Sequence, residues 1–301
     1  MVSDRTVTVG LSVYDIAAPD LLHLAGAADE AGFDALWLGE HLLLPVGYAS
    51  EHPTSGADHE HITGPIVSPD TEVVDPLVAL GAVAGATTRI RLATGIYILP
   101  LRHPIVTARA VATLQEASGG RFLLGIGAGW LVEEFTSLGV PFDERRSRLV
   151  ESIEVMRAAW AGGPFEHHGR HFSFDRIQVS RRPVDVPVIM GGNTPKALER
   201  AVRLGDGWFS SGTPLFEDAV RLRDQVMALH DEVGSGGEFR CWFRVTSGDP
   251  ELLARYRAEG IDDVVVWADQ LWPAEGSPAE KREAFAAAAA DLGFAAVAGP
   301  S

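Results

Sequence analysis

Eight times along this chain a short apolar run is followed by a helix-forming stretch, and that alternation limits the fold more than any other feature. The apolar runs fall at 7–13, 34–38, 90–99, 121–127, 186–192, 207–211, 239–246 and 262–267. Most are continuous rather than alternating in hydropathy, the pattern of strands buried on both faces of a parallel sheet. The stretches between them carry helix punctuation. Pro19 opens 19–31, which closes near Gly32, and Asp75-Pro76 opens a helix to about Thr88 with the aspartate as N-cap and proline at N1. Further helices are expected at 104–118, 143–161, 195–205, 215–233, 250–259 and 278–292. Eight such units predict an α/β fold, a single (β/α)8 TIM barrel in one domain over 1–301. An open doubly wound sheet fits less well, because such sheets stop at about five to seven parallel strands.

Two insertions break the rhythm. Residues 45–74 form a long loop after the second strand, and 162–185, containing "HHGRHFSF", lie between the fourth helix and the fifth strand. Unstructured loops of that length in a compact domain are usually functional. The first lies at the strand C-terminal ends, where barrels build their sites.

Bulk properties narrow the function class. Hydrophobic residues make up 46% and charged residues 22%, a globular profile with a large core. A net charge of −16 repels phosphate backbones, so no nucleic-acid partner is expected. No apolar run is long enough to span a membrane, and the first residues lack the apolar segment of a secretion signal. Cys241 stands alone, so no intrachain disulfide can form. The expectation is a cytoplasmic protein without a membrane partner.

In a barrel the strand C-termini line one mouth. Here they are Tyr14 and Asp15, Glu40 and His41, Tyr97 to Pro100, Gly127 to Trp130, Gly191 to Thr194, Ser210 and Ser211, Thr246, and Trp267. The set is aromatic and glycine-rich with few carboxylates, which suits a flat aromatic cofactor better than a metal. Glu40 and His41, in "LWLGEHLLLP", are either a strand cap facing water or an acid/base pair. "GIGAGW" (125–130) gives either a tight strand exit or close backbone approach to a ligand, with Trp130 as a stacking face. In "IMGGNTPK", Gly191, Gly192, Asn193 and Thr194 precede Pro195, which makes a phosphate site at a helix N-terminus or a plain capped helix. His52, His59 and His61 fall in the first insertion, where a loop lacks the preset geometry for metal, and no metal site is expected. His167, His168 and His171 flank a turn and are expected on a solvated hairpin face. His103 lies near the mouth without an evident role. The Arg145, Arg146, Arg148 cluster is a solvated face or a partner for an anionic tail.

Three ordered blocks carry a resemblance: "ALWLGEHLLLP" (35–45), the run from Asp75 to "GIGAGW" (75–130), and "PVIMGGNTPKALERAVRLGDGWF" (187–209). With them the chain resembles the bacterial luciferase-like family of flavin- or deazaflavin-dependent oxidoreductases. It looks most similar to the branch using coenzyme F420. The resemblance implies a (β/α)8 barrel and hydride transfer between F420 and a small organic substrate. His41 would lie by the ring as proton donor or acceptor, being the side-chain type that titrates nearest neutral pH, with Glu40 orienting it. A bulged third strand at Thr94, Gly95 and Ile96, often with a non-proline cis peptide, would back the ring. Gly127 and Gly129 would approach it, Trp37 would pack behind, and Trp130 would line the substrate pocket. Gly191, Gly192, Asn193 and Thr194 would take the phosphate. Where some relatives place a glutamate in the fourth-strand exit, this chain has Ala128, Gly129 and Trp130, and Glu133 is the nearest carboxylate. The alternatives are a reduced-FMN and O2-dependent monooxygenase, and a non-catalytic flavin-binding barrel. Relatives are often homodimers.

Overall fold

The computed structural model describes residues 8–52, 67–234 and 237–294. In chain order its elements are β1 (Thr8–Val13), α1 (Ala18–Ala31), β2 (Ala35–Leu38), α2 (Pro76–Ala86), β3 (Arg91–Thr94), β4 (Tyr97–Ile98), α3 (Pro104–Ala117), β5 (Phe122–Gly127), α4 (Val132–Ser137), α5 (Arg145–Trp160), β6 (Pro164–His168), β7 (Ser173–Gln178), β8 (Val188–Gly191), α6 (Pro195–Leu204), β9 (Gly207–Phe209), α7 (Phe216–Val233), β10 (Arg240–Arg244), α8 (Pro250–Ala258), β11 (Asp263–Trp267) and α9 (Pro278–Asp291). Parallel pairing runs β3-β2-β1-β11-β10-β9-β8-β5, and β3 pairs with β5 to close the ring. The expected (β/α)8 barrel is the observed architecture.

One barrel position departs from the simple reading of 90–99 as a continuous strand. It is shared by β3 and β4, both paired to β5, and the register shifts by one residue between Ala93↔Leu123 and Tyr97↔Ile126. The third strand therefore carries one extra residue, a bulge, and its Gly95–Ile96 peptide is cis. The Thr94 carbonyl crowds the neighbouring strand so closely that a Cβ on Gly125 would sit 1.8 Å from it, which only glycine avoids.

Alternate strand residues separate two cores. Ala35, Trp37, Ala93, Leu123, Ile189, Phe209, Trp242 and Val265 fill the barrel interior. Their sequence neighbours, among them Leu36, Leu92, Leu124, Val188, Trp208, Phe243 and Val264, join the layer between strands and helices. Trp37 meets Phe209 at 4.5 Å and Trp242 at 5.3 Å between ring centroids. Deleting a buried ring of this kind costs about 3–5 kcal/mol, so this plug is a large part of what keeps the barrel closed. Trp37 thus fills the interior beneath the mouth, and Gly95 lies against its side chain.

The helix boundaries follow the local chemistry. Asp75 accepts from the Leu77 and Val78 amides at 3.0 Å each, with Pro76 at the first turn, as its position predicts. His103 caps α3, its Nδ1 accepting from the Ile105 amide at 3.3 Å. The second insertion is the antiparallel hairpin β6–β7, held along α5 by Glu151, which accepts from the Phe172 amide at 2.8 Å and the His171 amide at 3.0 Å. The expectation of a solvated face holds for exposed His168 but not for His171, whose side chain is 3% exposed, with Nε2 2.9 Å from Ser147 Oγ and Nδ1 3.5 Å from Glu144. Among the described residues no helix is long and apolar enough to cross a membrane.

Candidate active site

His41 follows β2 at the strand C-terminal mouth and is buried. Its Nδ1 lies 3.3 Å from Oε2 of Glu134, a carboxylate in α4 with no solvent exposure. The other carboxylate oxygen accepts from the Leu42 amide at 2.6 Å, so Glu134 holds the backbone that carries His41 as well as facing its ring. The edges of Tyr14 and Trp130 flank the imidazole at 6.2 and 5.7 Å. Burial, with Asp15 and Glu134 adding to it, pushes the Tyr14 hydroxyl far above the ordinary phenol range, so it stays protonated.

Glu40 does not orient His41. Its carboxylate accepts from the Ile98 amide at 2.6 Å and pairs with Arg102. Arg102 lies 4.2 Å over the Tyr97 ring and 3.9 Å from Asp75. Burial pushes the Glu40 carboxyl up to about 7, while Arg102 and the Ile98 amide pull the other way. Glu40 therefore ties the second strand exit to the third, and Glu134 is the partner of His41. Glu133 stands outside this pair, accepting from the Ala49 amide at 3.0 Å and the Ser50 hydroxyl at 2.7 Å. It fastens the first insertion to α4. Tyr48 and His52 from that segment then meet the Trp130 ring at 5.8 and 5.0 Å, closing one side of the mouth.

The third-strand bulge stands where the sequence places it, but several residues assigned to a cofactor serve the protein itself. Thr94 is fully buried and its hydroxyl donates to Gly125 O at 2.6 Å, so the side chain is not offered to a ligand. A Cβ on Gly127 would meet Ile96 Cδ1 at 2.6 Å, and one on Gly191 would meet Ile96 Cγ2 at 3.1 Å. These glycines make room for Ile96. Gly129 has φ +79 and a Cβ there would strike Ile98 and Phe135 at 2.7 and 2.9 Å, so it seats α4. What remains partly open at the bulge is Gly95 and Ile96.

The α6 start combines both readings of its sequence. Thr194 caps the helix, accepting from the Ala197 amide at 3.3 Å. The Asn193 side chain is spent on Ser211, donating to its carbonyl at 2.9 Å and accepting from its amide at 2.8 Å. It positions the turn, and of its two amide N–H donors one is already used. Thr194, Pro195, Lys196, Arg200 and Arg146 line a cleft of about 460 Å³ here. Arg200 Nε is buried without a hydrogen-bond partner. Burial, with Arg146 adding repulsion, lowers the Arg200 guanidinium from its ordinary range. Two guanidiniums, an ammonium and a helix N-terminus gather positive charge at this cleft, with no acid in its lining. Among the described residues no three His, Cys, Asp or Glu side chains gather as a metal-ligand set, and His59 and His61 lie outside those residues.

Glu134, Lys196 and Arg200 are not legible as site residues from the strand ends. Glu134 lies in a helix of six residues, too short for a periodic signal. Its one clue is spacing: Leu131 and Phe135 are buried, and that places Glu134 rather than Glu133 on the inner side.

Comparison with known proteins bears on the family and the fold. The sequence model described as luciferase-like monooxygenase matches residues 4–247. An uncharacterized protein of Mycobacterium tuberculosis is 32% identical over 249 residues, covering 80% of this chain and 84% of the relative. An F420-dependent glucose-6-phosphate dehydrogenase of Nakamurella multipartita is 31% identical over 225 residues, covering 71% of this chain and 60% of that protein's length. Among solved structures, monooxygenase RslO1 from Streptomyces bottropensis superposes with a TM-score of 0.69 at 19% identity, covering 95% of this chain and 98% of its own.

Proposed function

The chain belongs to the luciferase-like monooxygenase family, and from that membership we propose that it is an oxidoreductase transferring a hydride between coenzyme F420 and a small organic substrate in the barrel mouth. The observation that carries the choice of cofactor is the cleft at the α6 N-terminus. FMN ends in one phosphate, whereas F420 continues from its phosphodiester into a tail of carboxylates. Arg146, Lys196 and Arg200 suit the longer anionic tail, and the orphaned Arg200 Nε has a donor to give it. The similarity to an F420-dependent dehydrogenase at 31% identity supports the same reading.

Bound F420 would supply hydride chemistry; the chain supplies position and a proton. Ile96 on the bulge and Trp130 at the fourth-strand exit, both half-buried, offer apolar surface that a flat ring requires. The Glu133 clasp on 49–50 holds that part of the first insertion to α4, where Tyr48 and His52 meet Trp130. His41 holds or receives the proton at Nε2, with the Glu134 carboxylate 3.3 Å from Nδ1 on the other edge of the ring. Arg200→Gln should weaken F420 binding by about 10-fold or more, the worth of a charge-assisted hydrogen bond, and leave FMN binding less affected. An equal or absent effect on the two would sink the cofactor assignment.

A second copy of the chain is the expected partner. α2 holds no charged residue and exposes Val78 (75%), and α3, packed against it, exposes Val106 (68%). An apolar helix face of this kind favours a homodimer.

A further inference from the structure

Arg244 ends β10 inside the barrel mouth, and four other parts of the barrel surround it. Its Nε donates to Ser12 Oγ of β1 at 2.9 Å, while its two terminal nitrogens reach only to Gly212 O and Gly95 O, each at 3.4 Å. The guanidinium carbon lies 4.6 Å from the Trp267 ring and 5.0 Å from the Phe209 ring. No carboxylate pairs with it among the described residues. That is unusual in a chain with 41 acidic against 25 basic residues. Three other enclosed cations are matched, Arg102 with Glu40, Arg240 with Asp263 and Lys281 with Asp20, while Arg200 lines the α6 cleft without an acid. Arg121 lacks an acid but is satisfied by carbonyls of Ala84, Thr87, Ile90 and Ser118 at 2.8 to 3.0 Å. Arg244 has neither arrangement.

Burial lowers the Arg244 guanidinium to about 10, still charged at neutral pH. A desolvated charge without a counter-ion is costly to fold around, and a ligand that neutralises it recovers that cost on binding. The residue also keeps partial access to solvent, so a ligand can reach it. Its contact with Gly95 O puts it at the bulge that underlies the mouth, two strands round the ring from the strand that leads into α6.

We propose that Arg244 anchors an anionic oxygen of the substrate, a carboxylate or a phosphate, and that the substrate is therefore a small organic acid. The inference rests on the functional reading above only in placing the substrate in this mouth. The geometry suits such a group: of the five N–H bonds of a guanidinium, one is well used and two are stretched, leaving a fork that a carboxylate can accept bidentately. The aromatic rings of Phe209 and Trp267 hold the plane of that fork.

Thermal melts of the cofactor-free protein with sodium malonate and with inorganic phosphate, at constant ionic strength, test this. Wild type should gain about 2–3 °C at ten times Kd, saturably. Arg200→Gln, which weakens the tail cleft, should keep the malonate response; Arg244→Met should lose it while melting at or above the wild-type temperature without probe. Arg244→Lys, which keeps charge but not the fork, should retain a response weakened about tenfold in Kd. Titration of F420 onto wild type and Arg244→Met separates the two sources of anionic oxygen. A loss of F420 affinity beyond tenfold with no malonate response in wild type assigns the charge to the cofactor ring and overturns the substrate assignment. Identical responses in wild type and Arg244→Met overturn the anion site altogether. An Arg244-dependent malonate response in a protein that binds neither F420 nor FMN would refute the cofactor reading and leave this inference standing.

Discussion

Replacing Glu134 separates its two jobs. Its carboxylate accepts from the Leu42 amide at 2.6 Å and faces His41 Nδ1 at 3.3 Å, with no exposure to solvent. Glu134→Ala strips a buried acceptor, which costs about 1–3 kcal/mol, and breaks a buried pair, for a total of about 3–5 kcal/mol. At about 2.1 cal/mol/K of unfolding entropy per residue, 301 residues convert that to a fall of about 5–8 °C in melting temperature. Glu134→Gln keeps an oxygen for Leu42 and removes only the charge beside His41. It should melt within about 2 °C of wild type and lose turnover by about 10²-fold, the lower end of general acid–base contributions. Calorimetry and a stopped-flow assay of the reduced cofactor read the two effects. Wild-type turnover in Glu134→Gln, or a larger turnover loss in Glu40→Gln, would refute the pairing of Glu134 with His41.

Other consequences follow from the same geometry. Glu40 has a folded-state pKa of about 7, raised by burial from an ordinary 4.5. Between these values the folded state binds more protons than the unfolded one, so this group's contribution to stability is full below about 4.5 and is lost as pH rises through 7. Glu40→Gln should flatten that slope in melts run from pH 4.5 to 8; an unchanged slope would mean the carboxyl ionises normally. Asp29, whose carboxyl is held low by the Thr88, Arg89 and Ile90 amides despite burial, acts in the opposite sense at more acid pH. If α2 forms the contact with a second copy, Val78→Glu should turn a dimer into a monomer in light scattering without lowering the melting temperature of the monomer.

The barrel was legible because its strands are apolar on both faces and its helices open with proline and acidic caps, both local signals. The bulge at Gly95–Ile96 was legible through resemblance, and its physical cause becomes plain only in three dimensions, where the Thr94 carbonyl fills the space a side chain on Gly125 would need. His41 was placed correctly at the mouth. Its partner was not, because sequence adjacency favours Glu40, whereas adjacent residues at a strand exit point apart and the carboxylate that reaches His41 comes from 93 positions away on α4. The glycines of "GIGAGW" look the same in sequence whether they admit a ligand or a neighbouring side chain. Ile96 and Phe135 fill that space here. Arg244 reads in sequence as one more strand residue, and its missing counter-ion is a property of the assembled mouth.

The central claim is that this mouth and cleft hold a deazaflavin with an anionic tail. Titrating the protein with F420 and, separately, with FMN while following ring fluorescence tests it most directly. The account predicts saturable quenching by F420 with a Kd at least tenfold below that of FMN, and a gap that narrows as salt is raised, because the tail contacts are ionic. Tight FMN binding with no response to F420 would contradict it.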